Sequence, residues 1–157
     1  MKKTYLSILA VLILLVSGCV GTQPPLEQNI ESIEISHSSF GWAGQEYLID
    51  FINNSFYSYQ SEKIGEGRDE SAKNAGYTYI GSLNDVNGFY QTAEQLDFFN
   101  WQERYDNLEI MDGHQWSITI TYHDGASKHI SGSNAYPKNW ELMGAVFQKL
   151  TTINVLN

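Results

Sequence analysis

Residues 110–150, IMDGHQWSITITYHDGASKHISGSNAYPKNWELMGAVFQKL, decide how the chain is read. Trp116, Ile118, Ile120 and Tyr122 alternate with Ser117, Thr119, Thr121 and His123. Alternation with period two, rich in β-branched and aromatic residues, predicts a strand. Asp124-Gly125 then predicts a turn, and a second strand follows from about Ala126 to Ser131. The register follows from side-chain parity. A two-residue loop would put Ile130 beside Thr119, on the polar face. A three-residue loop, His123-Asp124-Gly125, pairs Tyr122 with Ala126 and sets Ile120 against Lys128, Ile118 against Ile130 and Trp116 against Gly132. Only the second gathers the apolar residues, because a one-residue slip moves every side chain to the opposite face. The turn should therefore be type I closing in a bulge, with Gly125 left-handed.

Beyond the hairpin come Gly132 and Pro137, then Asn139 as an expected N-cap. Trp140, Met143, Val146, Phe147 and Leu150 follow at helical spacing and form one apolar stripe. The apolar face of the hairpin is its nearest partner. Asp112-Gly113, the alternating strand, Asp124-Gly125, the corner Gly132-Ser133-Asn134-Ala135-Tyr136-Pro137 and the Trp140 helix together resemble the C-terminal half of a widespread family of bacterial lipoproteins and secreted proteins. The resemblance covers about residues 98–150. It implies a fold and a broad class, and it brings no activity with it.

The N-terminus carries a different kind of signal. Lys2 and Lys3 precede an apolar run from Tyr5 to Val16, and Val16-Ser17-Gly18-Cys19 follows. A basic start, a short apolar core and small residues before a cut describe an export signal. The run is short for a membrane span. A cysteine at the cut resembles the lipobox of bacterial lipoproteins, so residues 1–18 are expected to be a lipoprotein signal peptide. Cys19 would be the lipidation site and the new N-terminus, its acyl chains holding the protein on a bacterial membrane. With valine rather than aspartate at position 20, the usual sorting pattern sends such a protein to the outer membrane where the host has two. Cys19 is the only cysteine, so no internal disulfide can form. Residues 19–30, polar with a Pro24-Pro25 pair, read as the lipidated cysteine and a flexible tether. Residues 31–157 read as a single domain.

The formal net charge is −9, and loss of Lys2 and Lys3 with the signal deepens it by two. That argues against nucleic acid and against docking on anionic headgroups. The expected partners are membrane lipid, through acylated Cys19, and an envelope protein or glycan; nucleic acid is not expected.

Strands are predicted at Ser32–His37, Tyr47–Ile52 and Phe56–Tyr59, with a tight turn at Asn53-Asn54. Residues 61–76, SEKIGEGRDESAKNAG, read as a polar loop, mobile or functional. Ser82-Leu83-Asn84-Asp85 has the spacing of a capping box, and Leu83, Val86, Phe89, Tyr90, Ala93 and Leu96 follow at helical spacing. Phe98, Phe99 and Trp101 read as an aromatic plug beneath the sheet. The expected fold is α+β: an antiparallel sheet of four to five strands in the order ββ(β)αββα, with both helices on one face.

Chemistry-bearing residues are sparse. Glu103, Asp106, Glu109 and Asp112 recur every third residue and invite a calcium reading. Leu108 and Ile110 stand where an EF-hand needs oxygen, so a solvated connector is expected instead. His114, His123 and His129 fall at the far end, the turn and the polar face of the hairpin, and no metal site is expected from them. No serine sits on a G-x-S-x-G elbow, the one thiol is committed to lipid, and no pair of carboxylates stands out. No catalytic residue and no cofactor are expected. One constellation does follow from the register: Asp112, His114, Asn134 and Tyr136 gather at the open end of the hairpin, with Trp140 close by. They form either a small polar pocket with an aromatic wall or a corner whose side chains satisfy the backbone. The leading expectation is a lipid-anchored binding module of the cell envelope. The alternatives are an envelope hydrolase acting on a glycan or peptide, and a purely structural lipoprotein.

Overall fold

The structure, a computed structural model, describes residues 29–39, 44–60, 76–110 and 112–157. Cys19, the signal peptide, nearly all of the tether and almost the whole 61–76 loop lie outside the described residues. The elements run β1 (Ile30–Ser39), β2 (Gln45–Asp50), β3 (Ser55–Gln60), β4 (Thr78–Ser82), α1 (Val86–Gln95), a 3-10 turn (Phe98–Asn100), β5 (Arg104–Asp106), β6 (His114–Tyr122), β7 (Ser127–Ser133) and α2 (Trp140–Thr151). The class is α+β, with a seven-stranded sheet in the order β4-β3-β2-β1-β6-β7-β5.

The sheet is larger than the four to five strands expected, and it is mixed, because β5 runs parallel to β7. The two unexpected strands have physical reasons for escaping notice. β5 is three residues long, too short to alternate, and its pairing comes wholly from β7. β4, TYIGS, holds a glycine and shifts register against β3 between Phe56 and Tyr57.

The hairpin takes the expected register: Ile120 faces Lys128, Ile118 faces Ile130 and Trp116 faces Gly132. Tyr122 N–H donates to the Ala126 carbonyl and Gly125 N–H to the Tyr122 carbonyl, both at 2.9 Å. Gly125 takes φ +84°, where a Cβ would be strained. β1 extends the pattern, with Ile33 opposite Ile120 and Ile35 opposite Ile118, and β2 and β3 add Ile49 and Phe56. All six are essentially inaccessible and share a core with Phe89 of α1 and Met143, Phe147 and Leu150 of α2. Both helices therefore cover this face. Burial at ~25 cal/mol per Å² makes that seam the main source of stability.

Three local expectations need correction. Asp85 is itself the N-cap of α1, accepting from Gly88 N–H at 3.2 Å, so Leu83 precedes the helix and the Ser82–Asp85 spacing is not a capping box. Asn139 occupies the N-cap position of α2 but makes no capping bond. Its amide donates to the Leu96 carbonyl at 3.0 Å and ties the start of α2 to the end of α1. Ile52 is not in a strand. It sits 55% exposed in the turn 51–54, where the Asp50 carboxylate accepts from the backbone and side chain of Asn53 at 2.9 and 2.7 Å.

The aromatic plug is present. Phe98 is fully buried with Trp101 at its edge, ring centroids 5.0 Å apart, and Phe98 also meets Phe147 at 5.7 Å. After α2, Thr152 turns the chain with φ 69°, and Val155 and Leu156 bury completely in the same core.

Candidate functional site

The open end of the hairpin is built around Trp116. It is the last core residue of the alternation, and it is buried because Gly132 opposite has no side chain to hold it off. Its indole N–H donates to the Ala135 carbonyl at 2.9 Å and so pins the corner 134–137 to β6. Trp140 packs against it with ring centroids 4.4 Å apart, Tyr136 stacks at 6.2 Å and Tyr105 of β5 approaches at 5.9 Å.

Three of the four residues read from the sequence as a ligand-binding group meet here. Asn134 adopts φ 51°, a left-handed conformation that asparagine tolerates. Its backbone N–H donates to the His114 carbonyl, and its side-chain Oδ1 accepts from His114 N–H, both at 2.9 Å. The amide of Asn134 is therefore spent on continuing the ladder one step past the strand, the corner reading rather than the pocket reading. Tyr136, 44% exposed, places its hydroxyl 3.0 Å from His114 Nδ1. Asp112 is exposed and takes no part in these bonds.

A residue outside the sequence reading completes the group. His37 of β1 faces Trp116 across the β1–β6 ladder. Its Nδ1 lies 3.1 Å from His114 Nε2, and its Nε2 lies 2.6 Å from the Val155 carbonyl. A carbonyl can only accept, so His37 carries a proton on Nε2. With the ring neutral, the form that burial favours, His37 accepts at Nδ1. His114 must then donate from Nε2 and accept at Nδ1, and the Tyr136 hydroxyl donates. Both imidazoles are neutral in this arrangement. Burial holds the His37 pKa below the ordinary histidine value, helped by neighbouring His114 and opposed by the Val155 carbonyl. Burial alone lowers that of His114, and burial raises that of Tyr136. The signal for His37 was available in the sequence: it continues the inward parity of Ile33 and Ile35.

The remaining candidates stay apart. His123 lies exposed in the turn, and His129 sits on the polar face with Nδ1 3.1 Å from Thr119 Oγ1. Glu103, Asp106, Glu109 and Asp112 are all exposed, and Asp106 pairs with Arg104. Among the described residues no three His, Cys, Asp or Glu side chains come close enough to hold a metal ion. A cleft of about 320 Å³ opens beside the corner, lined by Arg104, Asp106, Leu108, Ile110, Trp116 and Ser133 among others. Among the described residues no helix is long and apolar enough to cross a membrane. Comparison with models of known protein families, with curated proteins and with solved structures finds no match.

Proposed function

We propose that this is a lipid-anchored lipoprotein of the bacterial cell envelope whose domain acts by binding a partner at the open end of the hairpin. The anchoring half of the reading rests on Val16-Ser17-Gly18-Cys19. The binding half rests on one observation: Leu108, 90% exposed, and Ile110, 45% exposed, line the cleft together with Trp116, on which Tyr136, 44% exposed, stacks. Isolated exposed apolar residues are ordinary, whereas a gathered set beside a cleft marks a contact surface. An envelope protein, or a glycan that stacks on Tyr136, suits an acidic chain with apolar side chains on show.

Intact mass of the membrane fraction should show a diacylglyceryl group on an N-terminal Cys19, and Cys19→Ser should release the chain from the membrane. Affinity capture from envelope extract should recover a partner that Leu108→Asp no longer holds. A chain beginning elsewhere, or capture indifferent to Leu108, removes the corresponding half of the reading.

A second reading, an envelope hydrolase, is favoured by the order Tyr136, His114, His37, which is that of a hydroxyl, a base and an orienting group. Turnover of envelope glycans or peptides by the purified protein, abolished by His114→Gln, would replace binding with catalysis.

A further inference from the structure

α2 has two faces. Trp140, Met143, Phe147 and Leu150 are buried in the core, while Glu141, Leu142, Ala145, Gln148 and Lys149 are exposed. Leu142, 58% exposed, is the large apolar residue among the second group. Beside it runs a groove of about 210 Å³ between α1 and α2, lined by Gly88, Thr92, Ala145 and Val146 with Phe89 and Leu150. Leu142 stands one turn from Val146 on the same stripe, so it continues the wall of that groove. We propose that a second copy of this chain packs on this face, its α2 antiparallel to the first and crossing it at Ala145.

The occupant follows from what the face presents. Glu141, Ala145 and Lys149 recur at a spacing of four and form one ridge along the helix. The alanine is the low point of that ridge, where a second helix can come close. Glu141 lies as far before Ala145 as Lys149 lies after it. Reversing the helix about Ala145 therefore sets Glu141 of each copy against Lys149 of the other, two ion pairs from one crossing. A crossing angle of about 20° keeps both within reach. A parallel arrangement would set each of these charges against its own copy, and like charges repel. The two-fold that reverses the helix keeps α1 on one side in both copies. Each Leu142 then falls over the other copy's groove, beside the carbon stem of Lys149, where a lysine buries its methylenes and keeps its ammonium in water. The contact is reciprocal, as an isologous interface requires.

The dipole of α2 accounts for part of this pattern, since Glu141 is in its first turn and Lys149 in its last. It gives no reason for an exposed leucine on the same face. Lys149 also lies 3.6 Å from Asp85, but both side chains are more than half exposed and an ammonium has three donors. The chain as a whole is strongly acidic, so two copies repel over most of their surface. Approach through α2 pairs opposite charges instead. A helix face of twelve residues is smaller than the roughly 1,200 Å² at which stable interfaces begin. The pair is therefore transient in free solution and populated where copies share a membrane, a step that rests on the lipid anchor at Cys19.

The test is disulfide trapping of the full chain in phosphatidylcholine vesicles. Ala145→Cys should give a covalent dimer on mild oxidation, linked through position 145 by peptide mass. His123→Cys, exposed at the hairpin turn, should not. In the Ala145→Cys background, Glu141→Lys should cut the yield about fivefold, the scale of two exposed ion pairs, and adding Lys149→Glu should restore it. The proposal is overturned by no dimer through position 145, by an equal yield from His123→Cys, by a yield indifferent to Glu141→Lys, or by no recovery in the double exchange. All four positions are exposed, and circular dichroism should match the native chain, so a lost dimer reports the contact and not the fold. Intact mass of the vesicle-bound chain tests the anchor separately. Trapping that fails on a diacylated chain removes the dimer and leaves the anchor, whereas an unmodified Cys19 removes the anchor and with it the confinement that the dimer needs.

Discussion

The two ends of the β6–β7 hairpin are stabilised by different kinds of interaction. At the turn end the constraints are mostly local, the exception being His123 N–H, which donates to the Asn29 carbonyl at 2.9 Å. Gly125 N–H reaches the Tyr122 carbonyl, Tyr122 N–H reaches the Ala126 carbonyl, and Ala126 N–H reaches Asp124 Oδ1, all at 2.9 Å. At the open end the groups come from β1, β6, the corner 134–136 and the segment after α2, and they are joined by side chains. A local turn can be lost at the cost of its own strain. A junction of four segments is lost together, because each group completes the hydrogen bonds of another.

Trp116→Ala should therefore be the most damaging substitution of those considered. It removes a buried indole, its bond to Ala135 and its ring contacts with Trp140, Tyr136 and Tyr105. A loss of about 4 kcal/mol is expected from large-to-small replacement of a buried aromatic, measured by urea unfolding. Asn134→Ala comes next, at about 2 kcal/mol, because it strands His114 N–H and places alanine at positive φ. Asn134→Gly should recover the backbone part alone. If glycine costs as much as alanine, the side-chain bond accounts for the loss. If glycine costs nothing, the corner is held by backbone conformation and resembles the turn end after all.

Gly125→Ala probes the other end and should cost about 1 kcal/mol, the strain of a Cβ at φ +84°. A cost above that of Asn134→Ala would invert the contrast between the two ends.

The same contrast explains what could be read from the sequence. The turn and the register were legible because Ile118, Ile120 and Ile130 can share a face in only one local pairing, and the structure has that pairing. The gathering of His114, Asn134 and Tyr136 followed from the same register. What that register could not supply was any group from another part of the chain. His37 bonds a residue 77 positions away, and its contact with Val155 spans 118. β5 exists through β7, and Asn139 spends its amide on Leu96 rather than on its own helix. Local rules named the wrong partner for Asn139 and none for β5, since in both cases a distant carbonyl or strand edge outcompeted the local one.

The smallest substitution effect expected is at His129, and it sharpens the comparison most through its pH dependence. His129 lies exposed on the polar face, bonded to Thr119, so His129→Gln should change stability by less than about 0.5 kcal/mol at neutral pH. Burial holds the pKa values of both His37 and His114 below the ordinary histidine value of 6.5. The unfolded chain then binds protons that the folded chain refuses. Their contribution is fully present above the unfolded value of about 6.5 and is lost as pH falls through the lowered folded values. Thermal unfolding followed from pH 8 to pH 5 should show the midpoint falling below about pH 6.5 in the native chain. The same fall should appear in His129→Gln, because its ring is outside the His37–His114 pair, and a shallower one in His114→Gln, which leaves one titrating ring in place. If His129→Gln flattens the profile instead, the acid sensitivity belongs to the polar face of the sheet and the open end loses its distinction.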